Sequence, residues 1–84
     1  MNNRDIHIRR FCAVKQADGS WLHEYGETTW YNELGQLHRE DGPSVICAYE
    51  LRWYLYGVNY VFDEWLIKLN KSDEEKMLLR LQYA

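Results

Sequence analysis

The densest concentration of ionisable side chains in this 84-residue chain is His38-Arg39-Glu40-Asp41, followed at once by Gly42-Pro43. An imidazole beside carboxylates is the material of general acid–base work, which needs a partnered base inside a pocket. In an extended strand, however, alternate side chains point to opposite faces. His38 and Glu40 then take one side, and Arg39 and Asp41 the other. The residues that follow suit a turn: Asp41 can bond its own backbone, Gly42 tolerates positive φ, and Pro43 removes a donor. The stretch therefore reads as architecture, with Asp41 capping the turn and Arg39 or His38 pairing with a neighbouring hairpin. Recognition of a partner is the second use these side chains suit.

Other potential ligands are scattered. His7, His23 and His38 fall on three different strand-like runs, with no pair at the spacing a metal site needs. Cys12 and Cys47 are far apart and lack a nearby Cys or His, so they read as reduced, small core residues. No metal, cofactor or catalytic residue is assigned. The pattern Arg52-x-Tyr54-x-Tyr56 is more informative. It places a guanidinium and two phenols on one strand face, a combination used to stack single-stranded bases, to anchor protein interfaces, or to build a second core layer.

Composition narrows the class. The chain is one small domain, residues 1–84, burying roughly 60–65% of its unfolded surface. Thirteen residues are aromatic, from two Phe, four Trp and seven Tyr. Large rings supply much contact area per residue, and Tyr and Trp keep a polar handle. The formal charge of −3 is neither the basic excess of a nucleic-acid binder nor the strong acidity of a DNA mimic. The start, Met1-Asn2-Asn3-Arg4-Asp5, resembles no secretory signal, and Val45–Tyr49 and Trp65–Ile67 are far too short to span a bilayer. The expected setting is the cytoplasm, with no membrane.

The elements that must position these residues are mostly strands. Ile6 to Gln16 alternates, with a bulge near Arg9-Arg10. Ala17-Asp18-Gly19-Ser20 signals a hairpin turn. Trp21–Tyr25 and Thr28–Asn32 follow as strands around the break at Gly26-Glu27. Glu33-Leu34-Gly35 turns the chain into a short strand over Gln36–Glu40. Ser44–Tyr49 is the most apolar strand and the expected sheet centre. Leu51–Tyr56 has a clean period of two, with Leu51, Trp53 and Leu55 opposite Arg52, Tyr54 and Tyr56. Gly57-Val58-Asn59 turns next. Then the period changes: Phe62, Trp65, Leu66 and Leu69 fall on helical spacing, with Asp63 as N-cap and Phe62 as staple. Ser72 and Glu75 form a capping box for a second helix, which carries Glu74, Met77, Leu78 and Leu81 along one side. The predicted fold is α+β: an antiparallel sheet of successive hairpins, about five to seven short strands over 5–61, capped by a two-helix hairpin over 62–83.

A skeleton repeats through the sheet. Trp21 to Gly26 and Trp30 to Gly35 are Trp-x4-Gly, and Trp53 to Gly57 is Trp-x3-Gly. Trp-Tyr recurs at 30–31 and 53–54, a period that suits one hairpin per unit. The phrase from Trp30 to Ser44, with Gly35, His38-Arg39 and Asp41-Gly42-Pro43 in place, resembles the repeat of MORN-like proteins of bacteriophages, Trp-Tyr-x-x-Gly-x-x-His-Arg-x-Asp-Gly-Pro-Ala. Here Ser44 replaces the Ala, one extra residue precedes Gly35, and the copy at 53–57 lacks the His-Arg-x-Asp-Gly-Pro tail. Val61–Tyr83 resembles the helical tail of small phage proteins of this kind. The resemblance implies a β-hairpin repeat module acting inside a bacterial host cell. MORN repeats elsewhere are associated with protein binding and, in some proteins, with phospholipids.

The expectation drawn from all this is a non-enzymatic protein-binding module, a phage accessory factor that inhibits or redirects a host protein (a defence effector, a toxin or a nucleic-acid enzyme) by steric occlusion. The residues expected to carry binding are Trp30, Tyr31, His38, Arg39, Arg52, Tyr54 and Tyr56. Two alternatives stand beside it: an RNA or single-stranded nucleic-acid-binding accessory protein, and a homo-oligomeric structural module.

Overall fold

A computed structural model describes residues 13–83. The first half of the expected leading strand, with Arg4, His7, Arg9, Arg10 and Cys12, lies outside the described residues. Short strands joined by tight turns make up the rest: β1 (Ala13–Lys15), β2 (Trp21–His23), β3 (Thr28–Thr29), β4 (Val45–Ile46), β5 (Leu51–Leu55) and β6 (Val58–Tyr60). They form one antiparallel sheet in sequential order. Two helices follow, α1 (Phe62–Lys68) and α2 (Asp73–Tyr83), giving an α+β fold.

The repeat resolves into turn geometry. Gly19, Gly26 and Gly35 each close a three-residue loop in which the amide of the glycine bonds back three residues, to Gln16, His23 and Asn32. All three glycines have positive φ, the left-handed position that completes a type I turn with a bulge. In each Trp phrase the second residue after Trp is the last before the loop: His23, Asn32 and Leu55. The third phrase has a two-residue loop, Tyr56-Gly57, with φ of 51° and 81°, the mark of a type I′ hairpin turn. Trp-x4-Gly and Trp-x3-Gly thus differ by loop length. This moves the expected turn at Gly57-Val58-Asn59 back by one residue, because Val58 and Asn59 pair into β6.

In the first turn Asp18 accepts the Ser20 hydroxyl at 2.6 Å and the Ser20 amide at 2.9 Å. The hydroxyl bond first, and the amide bond second, hold the Asp18 carboxyl below its ordinary pKa of 3.8. A group whose folded pKa is depressed stabilises the fold above its unfolded pKa, and that contribution is lost as pH falls through the folded value. Protection factors of the β1–β2 hairpin amides, taken relative to intrinsic exchange at each pH, are therefore expected to fall below about pH 4, and Asp18→Asn should flatten that pH dependence. An unchanged profile in Asp18→Asn would remove Asp18 as the cause.

The buried side of the sheet changes partway across it. Register places Trp21, Thr29, Val45 and Arg52 in one row and Val14, Leu22, Thr28, Ile46 and Leu51 in the next, on the opposite face. In the first four strands Ala13, Thr29 and Val45 are buried. In β5 burial moves to Trp53 and Leu55, which share parity with Leu51. The helices are the reason. Trp53, Leu55, Trp65, Leu66, Leu69 and Leu79 form one apolar cluster, with Tyr60, Phe62 and Tyr83 around it. The Trp53 ring lies 4.7 Å from Phe62, 4.6 Å from Trp65 and 5.3 Å edge-on from Tyr83, separations at which ring pairs attract.

Several expected boundaries shift. Gln36–Glu40 is not a strand; its ladder is a single bridge between Tyr31 and Leu37. The apolar strand expected over Ser44–Tyr49 narrows to Val45–Ile46, and Tyr49 projects almost fully into solvent. Cys47 is half-buried at the β4–β5 turn, its thiol on the Glu50 carbonyl, rather than in the core. Asp63 does not cap α1. The N-cap is Val61, which has no side chain to bond the free amides, and Asp63 sits one position inside the helix and pairs with Arg80. An acidic first turn serves the same helix end through its dipole. The capping box of α2 holds: the Glu75 amide bonds the Ser72 hydroxyl at 3.2 Å.

Candidate functional site

The His38–Pro43 stretch is a clip that ties the sheet to the helices. Its backbone bonds explain why it is not a strand. The Gly57 amide donates to the Leu37 carbonyl, the Arg39 amide to the Tyr54 carbonyl, and the Trp65 indole to the Arg39 carbonyl at 3.0 Å. Three elements thus consume donors and acceptors that a ladder would use. The His38 ring accepts the Tyr56 amide through Nδ1 at 3.0 Å and meets Glu40 through Nε2 at 3.0 Å. Neutral imidazole with its proton on Nε2 satisfies both contacts. This bond, with the His38 and Tyr56 rings 4.4 Å apart, holds Tyr56 in a left-handed conformation that costs a non-glycine residue of order 1 kcal/mol or more.

Arg39 occupies the other side of the clip. Its Nε bonds Asp41 at 2.8 Å, a terminal nitrogen bonds the Pro43 carbonyl at 3.1 Å, and its guanidinium lies 3.8 Å above the Trp30 ring. Asp41 thus holds Arg39, where the sequence suggested a cap on its own turn. Gly42 sits against two side-chain ends: an added Cβ would lie 2.7 Å from Cζ of Arg39 and 2.9 Å from the Tyr83 hydroxyl, so both would have to shift to admit it. Positive φ is not its role, since the described glycines with that conformation are 19, 26, 35 and 57.

The seven residues singled out for binding do not share one surface. Trp30 is covered by Arg39, Tyr54 is half-buried, and Tyr56 leans on His38. Arg52 bonds Glu50 through Nε at 2.9 Å, and that carboxylate raises the Arg52 pKa. Tyr31 instead lines a cleft of about 320 Å³ between the β1–β2 hairpin and the Gly35 turn. Lys15 and Glu33 stand on its wall with Trp21, His23 and Asn32. His23 bonds the Thr29 hydroxyl at 2.8 Å. Among the described residues no group of three or more His, Cys, Asp or Glu side chains converges to hold a metal ion. No helix among them is long and apolar enough to cross a membrane.

Sequence reasoning missed an apolar row on the sheet outside the core. Val14, Leu22, Thr28, Ile46 and Leu51 stand opposite one another strand by strand. At about 4.8 Å per strand they make a row about 19 Å long. Val14 is 61% exposed, Leu22 43% and Leu51 40%, because the helices reach only as far as Trp53 and Leu55. The signal was present in the opposite parity of β1 and β2, but register is needed to align the residues. At the end of the strands near this row, the His23–Glu27 and Cys47–Glu50 turns carry Glu24, Glu27 and Glu50. No protein-family model, curated protein or solved structure matches the chain.

Proposed function

We propose that this protein is a non-enzymatic protein-binding module that occludes a working surface of a host protein. The observation that carries this reading is the registered row of aliphatic side chains in which Val14, Leu22 and Leu51 are exposed and Ile46 is half-buried. Contiguous exposed apolar patches mark interaction sites more often than scattered ones do. A row about 19 Å long matches the apolar stripe of an amphipathic helix of about 13 residues. The carboxylates Glu24 and Glu27 at the strand ends favour a helix with a basic flank, Glu50 being held by Arg52. The 320 Å³ cleft beside Tyr31 lies on the other face and suits one anchoring side chain of the same or another partner. The bacteriophage setting implied by the MORN-like phrase belongs to this proposal, with a host defence effector, toxin or nucleic-acid enzyme as the class of target.

A nucleic-acid reading is less well supported. Arg39, Arg52 and Arg80 each face a carboxylate already, so a phosphate would have to displace Asp41, Glu50 or Asp63. The test is capture from bacterial lysate with tagged protein, with and without nuclease. A stoichiometric protein that survives nuclease and is lost with the double substitution Leu22→Glu and Leu51→Glu supports the proposal. Binding should fall at least tenfold, since both positions are exposed and the variant keeps its core. Capture that disappears with nuclease, or that ignores the two substitutions, overturns it.

A further inference from the structure

The second helix is apolar on the wrong side for its own fold. At about 100° per residue, Met77, Leu78 and Leu81 fall within one arc of roughly 100°, while Leu79 and Tyr83 lie nearly opposite. Leu79 and Tyr83 dock on the core. Met77 is 54% exposed, Leu78 57% and Leu81 77%. The sequence pattern reads as a helix that turns Met77, Leu78 and Leu81 toward the sheet. The structure reverses this, because burial of Leu79 and packing of Tyr83 on the core set the rotation of α2; on its rim Arg80 reaches Asp63 at 3.3 Å and Lys76 reaches the Ile67 carbonyl at 3.4 Å. The outward stripe is thus held away from the chain that carries it.

We infer that this stripe joins two copies of the chain through an antiparallel, two-fold pairing of α2 with itself. The charge pattern selects the partner and its direction. Asp73, Glu74 and Glu75 occupy the first turn and Arg80 the last. With the two-fold axis between Met77 and Leu78, Met77 meets Leu78 of the second copy, and Leu81 meets the aliphatic stem of Glu74. Asp73 and Arg80 lie on the same flank of the stripe, so each comes opposite the other's counterpart across the axis, twice by symmetry, and Arg80, 3.3 Å from Asp63 of its own chain, there gains a second carboxylate. The same arrangement opposes the two helix dipoles. A parallel pairing would set acidic turn against acidic turn. The helix is about 16 Å long, and its stripe falls short of the roughly 800 Å² per partner of a standard interface. The association is therefore weak and reversible. It uses a surface separate from the aliphatic row of the sheet, so it leaves the proposed partner site open on both copies.

Sedimentation equilibrium from about 10 μM to about 1 mM tests this. The weight-average mass should rise toward twice that of the monomer, and the rise should weaken with added salt. Leu78→Glu should hold the monomer mass across the range, with the circular dichroism spectrum and melting temperature of the dilute parent, because Leu78 contributes nothing to the core. Leu22→Glu, on the sheet, should dimerise like the parent. A parent that stays monomeric at about 1 mM overturns the inference. So does association that persists in Leu78→Glu, or that is lost in Leu22→Glu alone.

Discussion

Replacing Trp65 with Ala is expected to unfold most of the population at physiological temperature. Trp65 is fully buried, touches Trp53 and Phe62, and donates its indole N–H to the Arg39 carbonyl. Truncating a buried tryptophan costs about 3–5 kcal/mol, and an 84-residue domain has about 4–12 kcal/mol in total. The loss combines two effects that can be separated. Trp65→Phe retains much of the apolar contact but leaves the Arg39 carbonyl without its donor, which costs about 1–3 kcal/mol. Thermal unfolding followed by far-ultraviolet circular dichroism should therefore rank the parent above Trp65→Phe and Trp65→Phe above Trp65→Ala. The last should melt at least about 12 °C lower than the parent. A Trp65→Ala protein that melts within a few degrees of the parent would mean that α1 is not a necessary part of the core.

Ser44→Ala should cost about 2–3 kcal/mol, a large effect for the loss of one oxygen. Ser44 is fully buried, and its hydroxyl both donates to the Tyr54 carbonyl at 2.9 Å and accepts the Tyr54 amide at 3.0 Å. Its own amide bonds the Arg52 carbonyl, and its carbonyl accepts from Trp30. The side chain thus substitutes for the next rung of the β4–β5 ladder at the point where β5 leaves β4 and turns its Trp53 face toward the helices. Removing the hydroxyl leaves the Tyr54 amide without its acceptor. Hydrogen exchange gives the specific readout: the Tyr54 amide should lose protection by more than the amides of β1 and β2. If all amides lose protection equally, Ser44 acts only through global stability.

The two effects have a common basis. Trp65 and Ser44 both satisfy backbone groups where the sheet ladder is interrupted: the Arg39 carbonyl, and the Tyr54 amide and carbonyl beyond the last β4–β5 pair. The His38–Pro43 clip is held by bonds to β5, to the Tyr56-Gly57 turn and to α1. Its ionisable residues are used for that attachment: Asp41 on Arg39, Arg39 on Trp30 and the Pro43 carbonyl, and His38 on the Tyr56 amide. What sequence alone presented as a concentration of chemistry is a joint between two halves whose buried faces are opposite. The surfaces free for a partner lie elsewhere, on the aliphatic row of the first half and on the outer stripe of α2.

Local rules were enough for much of the architecture. Period-two alternation over Leu51–Tyr56, the change to helical spacing at Phe62, the glycines at 19, 26 and 35, and the Ser72–Glu75 box each act within a few residues, so sequence by itself determined the hairpins, the sheet and the two helices. Three features depended on distant contacts and were decided only in three dimensions. Whether Gln36–Glu40 pairs as a strand turned on where its backbone groups found partners: the Arg39 amide donates to Tyr54 in β5, and the Arg39 carbonyl accepts from Trp65 in α1. The alignment of Val14, Leu22, Thr28, Ile46 and Leu51 needed the register of five strands, which no single strand's pattern contains. The rotation of α2 was set by the docking of Leu79 and Tyr83 on the core, against the apolar stripe of its own sequence. A side chain's period tells which residues share a face; which face is buried depends on what the rest of the chain brings against it.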